Sequence, residues 1–277
     1  MRRLLMSTAL VAAVLAAAAC GPVGAEDPVA SNAAGSEASL ASAIAAPTRA
    51  PANVARDRYR HPAETLAFFG VRPTDTVVEI WPGGGWYTEI LAPYLAPAGA
   101  YFAATPANNT NGMQRLIAAR PDAYGKVRLA TFPMVAGGTP VPPGTADVVL
   151  TFRNVHNWME PENGLPLAPE AFRQMYTMLK PGGTLGVVDH RLPASADTAR
   201  ESSSGYLKVA TVRALAERAG FRFVAASEVN ANPKDTTDWP DGVWTLPPNL
   251  ALKDKDREKY LAIGESDRMT LRFVKPS

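Results

Sequence analysis

The stretch VVEIWPGGGWYTEIL, residues 77–91, decides how the rest of the chain is read. Val77, Val78 and Ile80 form a short, β-branched apolar run, Pro82, Gly83, Gly84 and Gly85 interrupt it, and Trp86 begins a helical pattern. A strand, a glycine turn and a helix in this order open a doubly wound α/β sheet. Glycine lets the backbone approach a ligand closely, and the following helix presents free N–H groups and a positive dipole end. One residue is out of character: Trp81 stands where such turns usually begin with glycine.

Upstream, HPAETLAFFG at 61–70 reads as a helix with Pro62 at an early position and Gly70 as its stop. Downstream, a helix over 86–95 ends before Pro97, strands are expected at 100–104, 127–130 and 146–152, and a short helix at 113–119. ADVVLTF, at 146–152, is the continuous apolar run of a strand buried on both faces. Phe172, Met175, Tyr176 and Leu179 recur at helical spacing until Pro181, Gly182 and Gly183 stop the helix, and 184–189 is a further buried strand. A helix over 207–219 and strands at 221–229 and 269–274 complete the series. The alternation predicts an α/β fold: a doubly wound, mostly parallel seven-stranded sheet with right-handed crossovers and an antiparallel last strand. Its ligand is expected beyond the carboxyl ends of the strands, where the strand order switches.

At 277 residues and 47% hydrophobic, the chain can bury one large core. Lys and Arg number 28 against 26 Asp and Glu, a net charge of +2, which lacks the concentrated basic field of a nucleic-acid binder. The expected partner is a small molecule, not a nucleic acid. The N-terminus reads as an export signal: Met1, Arg2 and Arg3 are followed by an apolar run from Leu4 to Ala19 that is short for spanning a bilayer. Ala17-Ala18-Ala19-Cys20 resembles a lipoprotein signal box, with Val23-Gly24-Ala25 as a competing cleavage site. The plan is therefore a signal at 1–25, a flexible Ala/Ser/Pro-rich linker at 26–55 and a folded domain at 56–277. The expected location is periplasmic, or membrane-anchored through a lipidated Cys20.

Three blocks carry a family resemblance. In the first, Glu79 is an acid ahead of Gly83 and Gly85, with Trp81 in place of a further glycine. The second is ADVVLTFRN at 146–154, and the third is MLKPGGTLGVVD at 178–189. In this order and spacing they resemble the class I S-adenosylmethionine-dependent methyltransferases over residues 56–276. More narrowly, WPGGGWYTEILAPYL, FRNVHNW, LKPGGTLGVVDHR and IGESDRMTLRFVKP are similar to a bacterial group described as predicted methyltransferases.

The resemblance implies S-adenosylmethionine as cofactor, with Glu79, Trp81, Pro82, Gly83, Gly84, Gly85, Thr105 and Arg153 as candidate binding residues. In the family an acid ends the second strand and binds the ribose. Here YFAATP puts Thr105 at that place, with Asn108 and Asn109 as nearby substitutes, and one hydroxyl cannot take both ribose hydroxyls as a carboxylate does. Three roles are open to Trp81: stacking on adenine or a sulfonium, where cation–π attraction contributes about 0.5–2 kcal/mol; filling the pocket; or packing as a core tryptophan with its N–H satisfied.

After the fourth strand, His156 is a candidate general base and Asn154 a candidate to orient the nucleophile through its carbonyl oxygen. The competing role for His156 is capping a helix start. At the fifth strand's end, Asp189 and His190 should face opposite sides, while Asp189 and Arg191 share one and are expected to form a local salt bridge. Asp, His and Glu do not recur at metal-ligand spacing, so no metal is expected. Residues 230–268 make a long connection containing Trp239 and Trp244, read either as a lid or substrate-selecting insertion or as a loop anchored by its tryptophans. Two functions compete: methyl transfer to a small-molecule oxygen or nitrogen nucleophile, and ligand binding without catalysis in the cell envelope.

Overall fold

The computed structural model describes residues 40–159 and 168–277; the signal segment with Cys20 lies outside the described residues. Seven strands form one sheet: β1 (Thr76–Ile80), β2 (Ala100–Thr105), β3 (Arg128–Thr131), β4 (Ala146–Phe152), β5 (Leu179–His190), β6 (Arg222–Ser227) and β7 (Arg268–Val274). Their order is β3-β2-β1-β4-β5-β7-β6, with β7 antiparallel to both of its neighbours and the other pairings parallel. The order reverses between β1 and β4, so the crevice for a ligand opens beyond Ile80 and Phe152.

Alternation along β1 explains why the sheet needs helices on both faces. Val78 and Ile80 join a core that includes Phe172, Met175 and Leu215, and Val77 points into the opposite core with Phe69, Ile90, Leu91 and Leu95. All three β1 side chains are fully buried, which contributes about 1.5–3 kcal/mol each. β5 starts earlier than the sequence predicts because Leu179 pairs with Ala146 before the register resumes at Thr184 opposite Val148. β7 enters between β5 and β6, so the residues just before it arrive at the crevice end of β5.

The linker expectation for 26–55 is corrected from residue 40 onward. Leu40 and Ala43 are buried in the second core, and the Arg49 guanidinium grips Asp57 through two hydrogen bonds of 2.6 and 2.7 Å while lying over the Trp86 ring. Trp86 Nε1 in turn donates to the Asn53 carbonyl at 2.9 Å. The Ala/Pro-rich composition hid these anchors because few of the residues are large. Among the described residues no helix is long and apolar enough to cross a membrane.

Candidate active site

The crevice at the switch point holds a cavity of about 310 Å³, at the small end of the range for ligand pockets. Glu79, Trp81, Pro82, Gly83 and Gly84 from the β1 exit line it, together with Arg153, Asn154 and His156 from the β4 exit. Gly83 and Gly84 have nothing within 4 Å of where a Cβ would stand, so their backbone faces open space; Gly83 also sits at φ +57°, which glycine adopts without strain. The structure does not bring Gly85 or Thr105 to the cavity wall. A Cβ at Gly85 would meet the end of the Leu116 side chain at 2.6 Å, and its backbone at φ +84° is the conformation that calls for glycine there. Thr105 is buried at the end of β2, and its hydroxyl has no hydrogen-bond partner.

Trp81 resolves toward packing, with one edge on the cavity. Its backbone is left-handed at φ +50°, a conformation that costs a non-glycine residue of order 1–3 kcal/mol. The ring is held by a 2.8 Å hydrogen bond from Nε1 to the Phe132 carbonyl and by an edge-on contact with Trp158, centroids 5.7 Å apart. The indole thus reaches from the β1 exit to the β3 exit, across the end of β2. Asn154 holds the same backbone: its amide nitrogen donates to the Ile80 carbonyl at 2.8 Å and to Thr151 Oγ1 at 3.2 Å. Only the Asn154 carbonyl oxygen stays available to a ligand.

Glu79 lines the cavity from a fully buried position and accepts a 2.5 Å hydrogen bond from the Tyr101 hydroxyl. Burial raises its pKa to about 7, against the lowering by Tyr101, Thr88 and the Arg60 charge. Tyr101 is pushed up for the same reasons, by burial first and then by the Glu79 charge.

His156 and Asp189 meet across the β4–β5 exits. His156 Nδ1 lies 2.8 Å from Asp189 Oδ1, and the His156 backbone N–H donates to Asp189 Oδ2 at 3.2 Å. Since a carboxylate only accepts, Nδ1 carries the proton, which leaves Nε2 as the basic nitrogen. The expected Asp189–Arg191 salt bridge is corrected: Arg191 binds Asp267 and Glu228 instead. Asp189 also accepts from the His190 backbone N–H at 2.8 Å, and the His156 and His190 rings stand 5.0 Å apart. His190 Nδ1 is 2.5 Å from Ser266 Oγ, and burial together with the charges of His156 and Arg153 pushes its pKa well below the usual histidine range.

His156, Asp189 and His190 therefore offer ligand atoms within 4.8 Å of one another, a clustering that the chain spacing did not reveal. Hydrogen bonds within the trio commit both Asp189 oxygens, and the surrounding arginines make a cation's approach unfavourable. The trio is a hydrogen-bonded cluster at the β4–β5 exits.

Sequence reasoning missed the arginine wall. Arg56, Arg60 and Arg268 converge on the single carboxylate of Glu265 at 2.6, 3.0 and 3.1 Å. Burial alone would raise the Glu265 pKa, but Arg60, Arg268 and Arg56 outweigh it and bring it down to about 2. The only sequence sign was the IGESD run before the last strand. The 230–268 connection, which carries Glu265, also lines the cavity through Val243, Trp244, Leu246 and Pro247. It is pinned by Asp235, which accepts from Trp239 Nε1 at 2.7 Å and from the Tyr206 hydroxyl at 3.0 Å. Trp239 is thus an anchor, and Trp244, edge-on to His156 at 6.4 Å, is part of the cavity wall.

No protein-family model matches the sequence, and no curated protein matches it. Solved structures do match the fold. A SAM-dependent methyltransferase from Aquifex aeolicus superposes with a TM-score of 0.52 at 16% identity, over 80% of this chain and 93% of that one. Phosphoethanolamine N-methyltransferase 2 of Haemonchus contortus, in complex with S-adenosyl-L-methionine, gives 0.51 at 16% identity, over 79% of this chain and 53% of its own. The cyclase SpnF gives 0.53 at 14% identity, over 89% and 95%. The chain has the class I methyltransferase fold. At these identities the likeness carries the architecture, and the presence of a cyclase beside the methyltransferases is a reminder that the reaction must be argued from the site.

Proposed function

We propose that the protein is an S-adenosylmethionine-dependent methyltransferase acting on a hydroxyl or amine of a small molecule. The observation that carries this reading is the Asp189-held His156, set beside an open glycine loop in one cavity at the switch point. The methionine end of the cofactor fits the residues present: Gly83 and Gly84 leave their backbone open, and Glu79 stands behind them. At the adenosine end the unpaired Thr105 hydroxyl is the hydrogen-bonding group at the β2 exit, and the Trp81 indole, bonded to the Phe132 carbonyl, spans the end of that strand. When bound, the cofactor supplies an electrophilic methyl group. The chain's own task is then to hold the nucleophile in line and take its proton at His156 Nε2, while Asp189 keeps the imidazole in that tautomer.

Residues 1–25 support an export step, with Cys20 as the lipid acceptor that keeps the enzyme at a membrane. The test of the central reading is calorimetry of the full-length chain with S-adenosylmethionine and S-adenosylhomocysteine. A micromolar affinity, about −8 kcal/mol, lost in Gly83→Arg, is the expected result. Folded protein that binds neither at millimolar concentration overturns the reading. Once an acceptor is in hand, His156→Gln should lower kcat by about 10²–10⁴-fold with little change in cofactor affinity.

A further inference from the structure

The arginine wall carries more positive charge than its own carboxylate can neutralise. Arg56, Arg60 and Arg268 share Glu265, and Arg153, on the cavity wall, makes no side-chain hydrogen bond or ion pair among the described residues. The unshared hydrogen-bonding capacity is specific. Arg60 is 4% exposed, its Nε is used by Glu265, and its Nη2 is buried without a partner; the Nη2 of Arg56 is buried and unpartnered as well. Buried guanidinium N–H groups without an acceptor are unfavourable, so an acceptor brought by a ligand would be stabilising. Burial, the Arg268 charge and the Arg56 charge bring Arg153 down to about 10 despite Glu265, and Arg60 is lowered to the same level by burial and by Arg153.

The surroundings say what would restore the balance. Arg60 lies over the Trp86 ring, 4.8 Å from its centroid, so the guanidinium plane is already fixed. The Arg153 backbone is held at φ 62° with its N–H donating to the Val188 carbonyl at 2.7 Å, which directs the residue to the cavity wall while leaving its guanidinium without a partner among the described residues. Preset, planar donors of this kind match the oxygens of a carboxylate or a phosphate. His156, the base, leaves the same β4 exit three residues after Arg153 and lines the same cavity.

We propose that Arg60 and Arg153, with Arg56 at the rim, recognise an anionic group, a carboxylate or a phosphate, on the molecule that is methylated. This rests on the methyl-transfer reading and narrows its substrate class to anionic acceptors. The one competing source of the same chemistry is the carboxylate of the cofactor's methionine.

The experiment separates the two. Sodium benzoate, phenyl phosphate and uncharged benzamide are titrated into the full-length chain, alone and with saturating S-adenosylhomocysteine. The expected result is that one of the anions binds at least tenfold more tightly than benzamide and keeps its affinity when S-adenosylhomocysteine is present. Arg153→Gln should abolish the preference, and Arg153→Lys should restore part of it. Arg56→Gln, at a half-buried position, repeats the test should Arg153→Gln fail to fold. Equal affinity for anions and benzamide overturns the proposal, and so does competition between benzoate and S-adenosylhomocysteine, which would assign the arginines to the cofactor. If S-adenosylhomocysteine does not bind but the anion preference and its loss in Arg153→Gln are seen, the anion site stands while the methyl-transfer reading falls.

Discussion

On the β2–β3 side of the crevice, the rings of Trp81 and Phe132 both pack against Trp158, and Thr105 is buried at the end of β2. On the β5–β7 side, Arg60, Arg153, Glu265, His156 and His190 line open space. The first side is closed by aromatic contact and contains an unused hydroxyl, that of Thr105, and the unused indole N–H of Trp158; the second is open and contains unused cationic donors. One sheet edge thus separates two binding environments. On the proposed reading, the packed side would have to rearrange to admit a flat base, while the charged side already presents donors to an anion.

The largest test of this contrast is Glu265→Gln. Removing the carboxylate leaves the buried Arg60 and Arg268 and the half-buried Arg56 with no counter-charge, at a cost of about 3–5 kcal/mol. A fall in Tm of roughly 10 °C is expected from that loss, measured by differential scanning calorimetry at neutral pH, and added phosphate should recover part of it. A melting temperature within a degree or two of the parent would mean that the charged side is not under the tension described.

Glu79 gives the next effect, through pH. Its folded pKa of about 7 lies above its ordinary value of 4.5, so between those values the folded state holds a proton that the unfolded state has released. Stability from this group is present below about pH 4.5 and is lost as pH rises through about 7, an effect on the order of 3 kcal/mol. Glu265 runs the other way, losing its contribution as pH falls from 4.5 toward about 2. Denaturant melts of Glu79→Gln from pH 4.5 to 8 should flatten the upper part of the profile. A profile that still declines to the same extent sinks this assignment.

The smallest effect concerns the packed side. Trp81→Gly removes the left-handed strain and the indole that spans the β1 and β3 exits, while giving up the contact with Trp158. S-Adenosylhomocysteine should bind about tenfold more tightly, a gain of about 1.4 kcal/mol, read by calorimetry, with some loss of Tm. Weaker binding would show that the indole is a wall of the cofactor site and not its cover.

What was legible in the sequence was local. The β1 run, the glycine turn and the helix after it are written in consecutive residues, and the ends of β4 and β5 follow from short apolar strands with fixed punctuation. The sheet order and the antiparallel β7 agree with that reading. The base pair was half legible: His156 was picked out, but Asp189 is 33 residues away on the neighbouring strand, and strand alternation was applied to Asp189 and its neighbours His190 and Arg191, not to a partner across the sheet. The arginine wall was not legible, because Arg56 and Arg60 reach Glu265 across 209 and 205 residues. Trp81 left three roles open because sequence does not give a side chain's direction, and its indole hydrogen bond to Phe132 spans two strand exits.

The position of β7 also sets an order of events during synthesis. Arg56, Arg60 and Arg153 leave the ribosome long before Glu265 and Ser266, which lie just ahead of the last strand. At about 5–20 residues per second, the nascent chain spends seconds with its cationic residues made and their carboxylate still untranslated. β4 and β5 are complete by then, but the wall that turns them into a site is not. The cavity is therefore a late product of translation, and a chain interrupted before residue 265 would keep most of the sheet's strands while lacking the counter-charge that lets the arginines be buried.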